Sequence, residues 1–225
     1  MLNLDIQTFV NEACAFSQVE STHAERSLFG VTDGKAVGTY LEHKFTNYLA
    51  QKYSFQLGNS ANGIDFPSLN TDMKVTSKRQ PQSSCPYKSA RQKIFGLGYN
   101  LIVFVYEKYD DPITLTGRLN ITDTVFVEAS RTADYQTTKG ILEILKRNGN
   151  RDDLIGFMID RNLPVEEIEL NNIADAILIT PPNQGFLTIS NALQWRLQYT
   201  RVIEMAGLVP GIRSVFKTAP GVFDE

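Results

Sequence analysis

Asp65, Asp72 and Lys74 fall within one short stretch, NGIDFPSLNTDMKVTSKRQPQSS, residues 62–84. Two carboxylates that meet are costly unless a cation lies between them. Together with main-chain carbonyl and water oxygens they make a hard-oxygen set suited to Mg2+. Lys74 is two residues beyond Asp72, so on a strand both side chains leave from one face. An ammonium beside such a set can hold a water or a phosphate oxygen. These are the parts for metal-assisted hydrolysis of a phosphodiester: a Lewis acid, a positioned nucleophile and charge stabilisation at phosphorus. The plainer reading is a structural ion pair, because Asp-x-Lys triplets are common. Asp33-Gly34-Lys35 and Glu42-His43-Lys44 share the acid-x-Lys spacing. The first sits at a helix start, where Asp is an ordinary cap, and the second lies inside a helix, where i and i+2 diverge.

The surrounding elements must bring the two acids together. IDF and TDMKVTS read as short strands, with PSLN as the turn. Neighbouring strands lie about 5 Å apart, so Asp65 and Asp72 can face each other across such a hairpin. Upstream, TDGKAVGTYLEHKFTNYLAQKY reads as a helix capped by Thr32 or Asp33, with Val37, Leu41, Phe45, Tyr48 and Leu49 as its apolar stripe. Glu42 borders that stripe and can point to the sheet edge; pairing with Lys35 or Lys52 is the alternative. YSFQLG reads as a further strand and NSANG as a turn. PYKSARQKIFGLG reads as a helix whose start, near Ser83 to Tyr87, would offer free N–H groups to a phosphate. YNLIVFVYE has the continuous apolar pattern of a strand buried on both faces, and DTVFVEAS reads as one more strand. The order over 33–107 is thus helix, three strands, helix, strand. A first helix is expected over 3–18.

From about Tyr135 the spacing is helical. TTKGILEILKRNG, RDDLIGFMIDRN, PVEEIELNNIADAIL and TISNALQWRLQYTRVIEMAG each read as helices, and the tail from 207 as loop or extended arm. The expected fold class is α/β: a mixed central sheet over residues 1–133, followed by a helical part over 134–225 with a C-terminal arm.

Composition narrows the function. Apolar residues make up 42% and charged residues 21%, an ordinary globular balance. Cys14 and Cys85 are too few for a disulfide framework and lack metal-ligand spacing. No apolar run approaches a membrane span, and the start of the chain lacks the basic region of a secretory signal, so an intracellular setting is expected. With only His23 and His43, clustered-histidine chemistry is poorly supported. The net charge of −3 argues against indiscriminate nucleic-acid coating, but a local basic cleft remains open. Between Met73 and Tyr106 there is no acid. Lys78, Arg79, Gln80, Gln82, Ser83, Ser84, Lys88 and Arg91 in that stretch can contact phosphates or base edges; a solvated loop is the alternative.

These residues and their order of elements resemble the PD-(D/E)XK nuclease superfamily, and within it type II restriction endonucleases, over roughly residues 33–107. Asp65 matches the first acid of the motif, Asp72 the second, Lys74 the lysine, and Glu42 the helix glutamate of many members. Ile64 stands where the family often has Pro, and Asp72 where it more often has Glu. LNTDMKVTSKRQPQSSCPYKSARQKI and SRTADYQTTKGILEIL are similar to restriction-enzyme sequence. The resemblance implies an αβββαβ core and Mg2+-dependent cleavage of duplex DNA to 5′-phosphate and 3′-hydroxyl ends. It also implies Asp65, Asp72 and the Met73 carbonyl as Mg2+ ligands, and Lys74 as the residue that orients or deprotonates the attacking water. Glu42 would assist through a second metal or a bridging water. A homodimer on a palindromic site, a cognate DNA methyltransferase and a prokaryotic cytoplasmic location follow from the same resemblance. Further specificity contacts are expected in the loop Lys78–Ser84 and around Arg131, Tyr135, Gln136 and Thr137. A structure-specific repair or junction-resolving nuclease, a non-catalytic DNA-binding module and a domain for a small anionic ligand are the competing readings.

Overall fold

The computed structural model describes residues 2–58, 63–190 and 194–218. In chain order the elements are β1 (Leu2–Asn3), α1 (Ile6–Glu20), β2 (Ala24–Glu25), α2 (Gly34–Ala50), β3 (Tyr53–Ser54), β4 (Thr71–Ser77), β5 (Gln82–Pro86), α3 (Arg91–Phe95), β6 (Asn100–Asp111) and β7 (Thr116–Val127). They continue with α4 (Tyr135–Lys146), α5 (Arg151–Asp160), α6 (Glu167–Ile179), β8 (Thr188–Ile189), β9 (Gln194–Gln198), α7 (Thr200–Glu204) and β10 (Ile212–Lys217). The chain divides into two compact units that are not consecutive in sequence. One comprises Met1–Pro81, Asn100–Val127 and Met205–Glu225; the other comprises Gln82–Tyr99 and Glu128–Glu204.

The first unit is built on a mixed sheet in the order β10-β7-β6-β4, with β2 also pairing to β7. β6 and β7 form an antiparallel hairpin, and β4 lies parallel to β6 in the register Asp72↔Leu101 and Lys74↔Val103. A parallel neighbour needs a long crossover, supplied here by residues 78–99. Leu101 to Val105 are all buried, as their apolar run predicts. α1 and α2 cover one face. Asp5 caps α1, its carboxylate accepting from Thr8 N at 2.7 Å, and Asp33 caps α2 by accepting from Lys35 N and Ala36 N, each at 3.1 Å. Val37, Leu41, Phe45 and Leu49 recur every fourth residue and bury one stripe of α2 in a core shared with Phe9, Phe16, Phe66, Met73 and Phe104.

In the second unit, α4, α5 and α6 pack around Ile141, Ile144, Leu154, Met158, Ile173 and Ile177. A separate antiparallel sheet in the order β5-β9-β8 completes it.

The mixed α/β fold class and the order helix, three strands, helix, strand are both present, but different strands fill the places. IDF forms no strand. Pro67–Leu69 makes a 3-10 turn and only Phe66↔Thr71 pair as an isolated bridge, because Pro67 has no N–H for a ladder and sits directly after the bridge. YSFQLG shrinks to β3, which pairs with β1 in a sheet of its own. The third strand is β5 instead. It runs through Ser83–Pro86, so the expected helix start near Ser83 to Tyr87 is strand, and α3 begins only at Arg91. α4, α5 and α6 match the expected helices. TISNALQWRLQYTRVIEMAG does not: it holds β8, β9 and the short α7. The tail holds β10, whose alternation is broken by a bulge between Ser214 and Phe216. The NSANG turn falls largely outside the described residues. Among the described residues no helix is long and apolar enough to cross a membrane.

Candidate active site

The site grows from the edge of the first unit's mixed sheet. Among the described residues β4 has β6 on one side and no strand on the other in that sheet. Met73 is buried in the core between sheet and helices, so by strand alternation Asp72 and Lys74 leave from the opposite face. Just upstream, the buried Phe66 anchors the chain against the rings of Phe9, Phe55 and Phe45, at centroid distances of 4.9, 5.7 and 6.2 Å. Phe66 N donates to Thr71 O at 3.0 Å and Thr71 N to Phe66 O at 3.2 Å, closing a tight loop through Asn70 at φ 47°. Asn100 secures the loop from β6: its N donates to Asn70 O at 2.8 Å and its Nδ2 to Leu69 O at 3.3 Å.

This loop lays Asp65 along the open edge of β4. Its Oδ2 accepts from Met73 N at 2.8 Å. That N–H therefore points away from β6. The N–H and C=O of one strand residue project to the same side, so the Met73 carbonyl turns to this edge as well. Asp72 is 4% exposed and stands against both Asp65 and Lys74. Lys74 Nζ lies 2.7 Å from Asp72 Oδ2. Burial pushes the Asp72 carboxyl up to about 7; the Lys74 charge opposes this, while the Asp65 carboxylate, within hydrogen-bond reach, adds to it. Glu42 on α2 is half-buried, and burial raises its carboxyl above the ordinary range. Asp65 raises it further, and Lys74 and His43 act the other way. Of its alternative partners, Lys52 is engaged by Glu12 at 2.7 Å.

Asp65, Asp72, Lys74 and Glu42 are thus brought into one electrostatic cluster. Among the described residues no group of three or more His, Cys, Asp or Glu side chains forms a ready metal cage. The fit to a divalent cation rests on the carboxylate pair itself. Buried Asp72 faces the exposed Asp65 with hard oxygen donors, and a cation between them would offset both the burial that chiefly lifts Asp72 and the repulsion that adds to it.

Gly58 escaped the sequence reading, where it served only as a strand end. Its N donates to Asp65 O at 2.9 Å, and a β-carbon there would lie 1.9 Å from the Ile64 carbonyl oxygen. No sequence signal distinguishes a glycine used for close approach from a turn glycine.

The expected DNA-contacting residues divide between the units. Lys78, Arg79 and Gln80 are exposed in the turn after β4, Lys78 3.3 Å from Glu107. Gln82, Ser83 and Ser84 lie on β5, and Ser83 turns inward to the Tyr199 hydroxyl. Lys88 is exposed, whereas Arg91 pairs with Glu169 at 2.6 Å. Of the second group, Thr137 is buried, its Oγ1 donating to Asp134 at 2.6 Å. Tyr135 carries the Arg201 guanidinium 3.8 Å above its ring, Arg131 Nη1 donates to Gln184 O, and Gln136 is exposed.

The chain belongs to a class of site-specific deoxyribonucleases: the family model described as "Type II restriction enzyme NspV" matches residues 3–214. It is 63% identical over 220 residues to the type II restriction enzyme NspV of Nostoc sp. (strain ATCC 29411 / PCC 7524), covering 98% of this chain and all of that one. The chain is therefore a member of the NspV family of type II restriction enzymes, a group that generally uses a divalent metal. A crystal structure of tetrameric restriction endonuclease SfiI bound to cognate DNA aligns with a TM-score of 0.41 and 12% identity, over 92% of this chain and 81% of that one.

Proposed function

We propose that this chain cuts both strands of duplex DNA at a defined sequence through the cluster on β4, with Mg2+ as its metal. The observation that carries this is the facing pair of Asp65 and Asp72 with Lys74 on Asp72. Asp65, Asp72 and the Met73 carbonyl would hold the ion. When bound, Mg2+ supplies a Lewis acid and neutralises charge at the reacting phosphate. The Met73 N–H keeps Asp65 in place. Lys74 holds the attacking water and favours its loss of a proton. Glu42, a carboxylate with a raised proton affinity, would assist by holding a second ion or a bridging water. The water oxygen bonds to phosphorus as the bond to the 3′ oxygen breaks; the attacking water gives its proton to solvent and the 3′ oxygen takes one from solvent, leaving 5′-phosphate and 3′-hydroxyl ends.

Lys78, Arg79, Gln80, Gln82, Ser84 and Lys88 supply phosphate and base contacts; Ser83 and Arg91 act from their intramolecular partners. The helices after 134 frame DNA or join a second copy; the two compact units are interleaved in sequence, so the expected boundary at 133 does not coincide with the division between them. A two-fold homodimer suits a palindromic site. The enzyme works in the prokaryotic cytoplasm beside a methyltransferase that protects the host's own sites. Family membership favours this over a junction-resolving nuclease, a non-catalytic DNA-binding module or an anion-binding domain. The test is a digest of a large DNA of known sequence with Mg2+, with the ends mapped. Discrete fragments are expected from the wild type and none from folded Asp72→Ala or Lys74→Ala. Wild-type rates in either variant would end the assignment of roles.

A further inference from the structure

The three-stranded sheet of the second unit sorts its side chains by face. Cys85 pairs with Trp195, and Ser83 with Leu197, which also pairs with Ile189. Cys85, Trp195, Leu197 and Ile189 are buried. The alternate rungs face the other way: Ser84 pairs with Arg196, and Gln82 with Gln198. Arg196 and Gln198 are exposed, while Gln82 and Ser84 are half-buried. An ordinary solvated sheet face mixes charges of both signs. Among the described residues this one presents Arg196, Gln198, Gln82, Ser84 and Thr188 and no acid. Both of its source segments lack acids altogether, from Lys74 to Tyr106 and from Ala176 to Ile203.

Such a face suits the edges of DNA bases. A two-stranded β-ribbon fits the major groove, and here β5 and β9 form the ribbon while β8 adds only Thr188 and Ile189 beside Gln198 and Leu197; Arg makes a bidentate contact to guanine O6 and N7, and Gln to adenine N6 and N7. Residues two apart on a strand are separated by roughly 6.8 Å, which matches about two base steps of 3.4 Å. We propose that Arg196 and Gln198 determine sequence specificity, Arg196 reading a guanine and Gln198 an adenine about two steps away, with Ser84 and Gln82 flanking them on β5. The proposal rests on the reading of this chain as a DNA endonuclease and adds to it which residues read the site.

The test couples protein variants to altered bases. The wild-type recognition site is first mapped by digestion. Wild type, Arg196→Ala, Arg196→Lys and Gln198→Ala are then compared on that duplex and on duplexes carrying 7-deazaguanine or 7-deazaadenine at single positions. Loss of N7 at one guanine is expected to lower wild-type kcat/KM by roughly 10- to 100-fold. Both Arg196 variants should fall by a similar factor on the natural site, with no further loss on the substituted one; Gln198→Ala should behave likewise at one adenine. Arg196→Lys retains the charge, so a role in phosphate binding alone would leave it near wild type and overturn the proposal. Unchanged melting temperatures confirm folded variants, and losses that simply multiply at every position would also overturn the assignment. If the wild type leaves all DNA intact, the endonuclease reading falls and this inference with it. If it cuts and the variants discriminate as it does, this inference alone falls.

Discussion

Asp72 in the first unit and Asp134 in the second are both aspartates with 4% exposure, yet their surroundings differ in kind. Asp134 caps α4 and meets only donors. Its Oδ1 accepts from Thr137 N at 2.8 Å and Thr137 Oγ1 at 2.6 Å, and its Oδ2 from Ile189 N at 2.9 Å. Asp72 meets an ammonium on one side and another carboxylate on the other. Burial alone therefore does not mark a reactive acid. A carboxylate surrounded by N–H and O–H groups is a structural pin, whereas one set against a second carboxylate is, on the proposed reading, where a cation would sit.

The sharpest way to break that contrast is to remove each acid in turn. Asp72→Ala and Lys74→Ala should lower the cleavage rate by about 1000-fold or more, since a catalytic interaction made in the transition state is worth roughly 4 kcal/mol. Both proteins should remain folded by circular dichroism. Asp134→Ala should do the reverse. Three donors lose their acceptor in a buried place, at a cost of about 3 kcal/mol in unfolding free energy, measured by urea titration. Cleavage per folded molecule should stay close to wild type. A stable Asp134→Ala protein without activity would erase the distinction between the two sites.

A smaller effect is expected at Gly58. A side chain there must push Ile64 and Asp65 away, because its β-carbon would lie 1.9 Å from a carbonyl oxygen. Gly58→Ala should loosen the Asp65 bond to Met73 N, raise the Mg2+ concentration for half-maximal cleavage about tenfold, and weaken metal-induced thermal stabilisation. Equal metal dependence in variant and wild type would show that the loop absorbs the methyl group.

The difference between the units also explains what could be read from sequence. Asp72 and Lys74 lie on one strand, where alternation fixes their common face, and Asp65 lies one short turn upstream. Glu42 follows from the phase of a helical stripe. That chemistry is local, so the residue pattern carries it. The hairpin that was to join Asp65 to Asp72 is a 3-10 turn with one bridge, but the turn brings the acids together all the same. β5 and β9 are different: more than a hundred residues separate partners such as Ser84 and Arg196, and pairing at that range leaves no local mark. Trp195, Arg196, Leu197, Gln198 and Tyr199 do alternate in the manner of a strand. Helix-forming neighbours from Val202 to Ala206 masked that signal, and the bulge in β10 hid its alternation in the same way.

The contrast also predicts a modest dependence of stability on pH in metal-free protein. Folding raises the Asp72 carboxyl to about 7, so between the ordinary carboxylate range and pH 7 the folded state binds a proton that the unfolded state has released. Stability must then fall as pH rises through this window and level off above it. Asp72→Asn cannot titrate and should flatten that slope, leaving the variant more stable than metal-free wild type at pH 8 by roughly 5 °C in melting temperature. Mg2+ at pH 8 should recover the difference in wild type and leave Asp72→Asn unmoved, because the cation takes the place the proton holds at lower pH. A wild-type melting temperature that rises from pH 5 to pH 8 without metal would mean that Lys74 alone satisfies Asp72. Asp72 and Lys74 would then be a structural ion pair, and Asp72 would belong with Asp134 rather than apart from it.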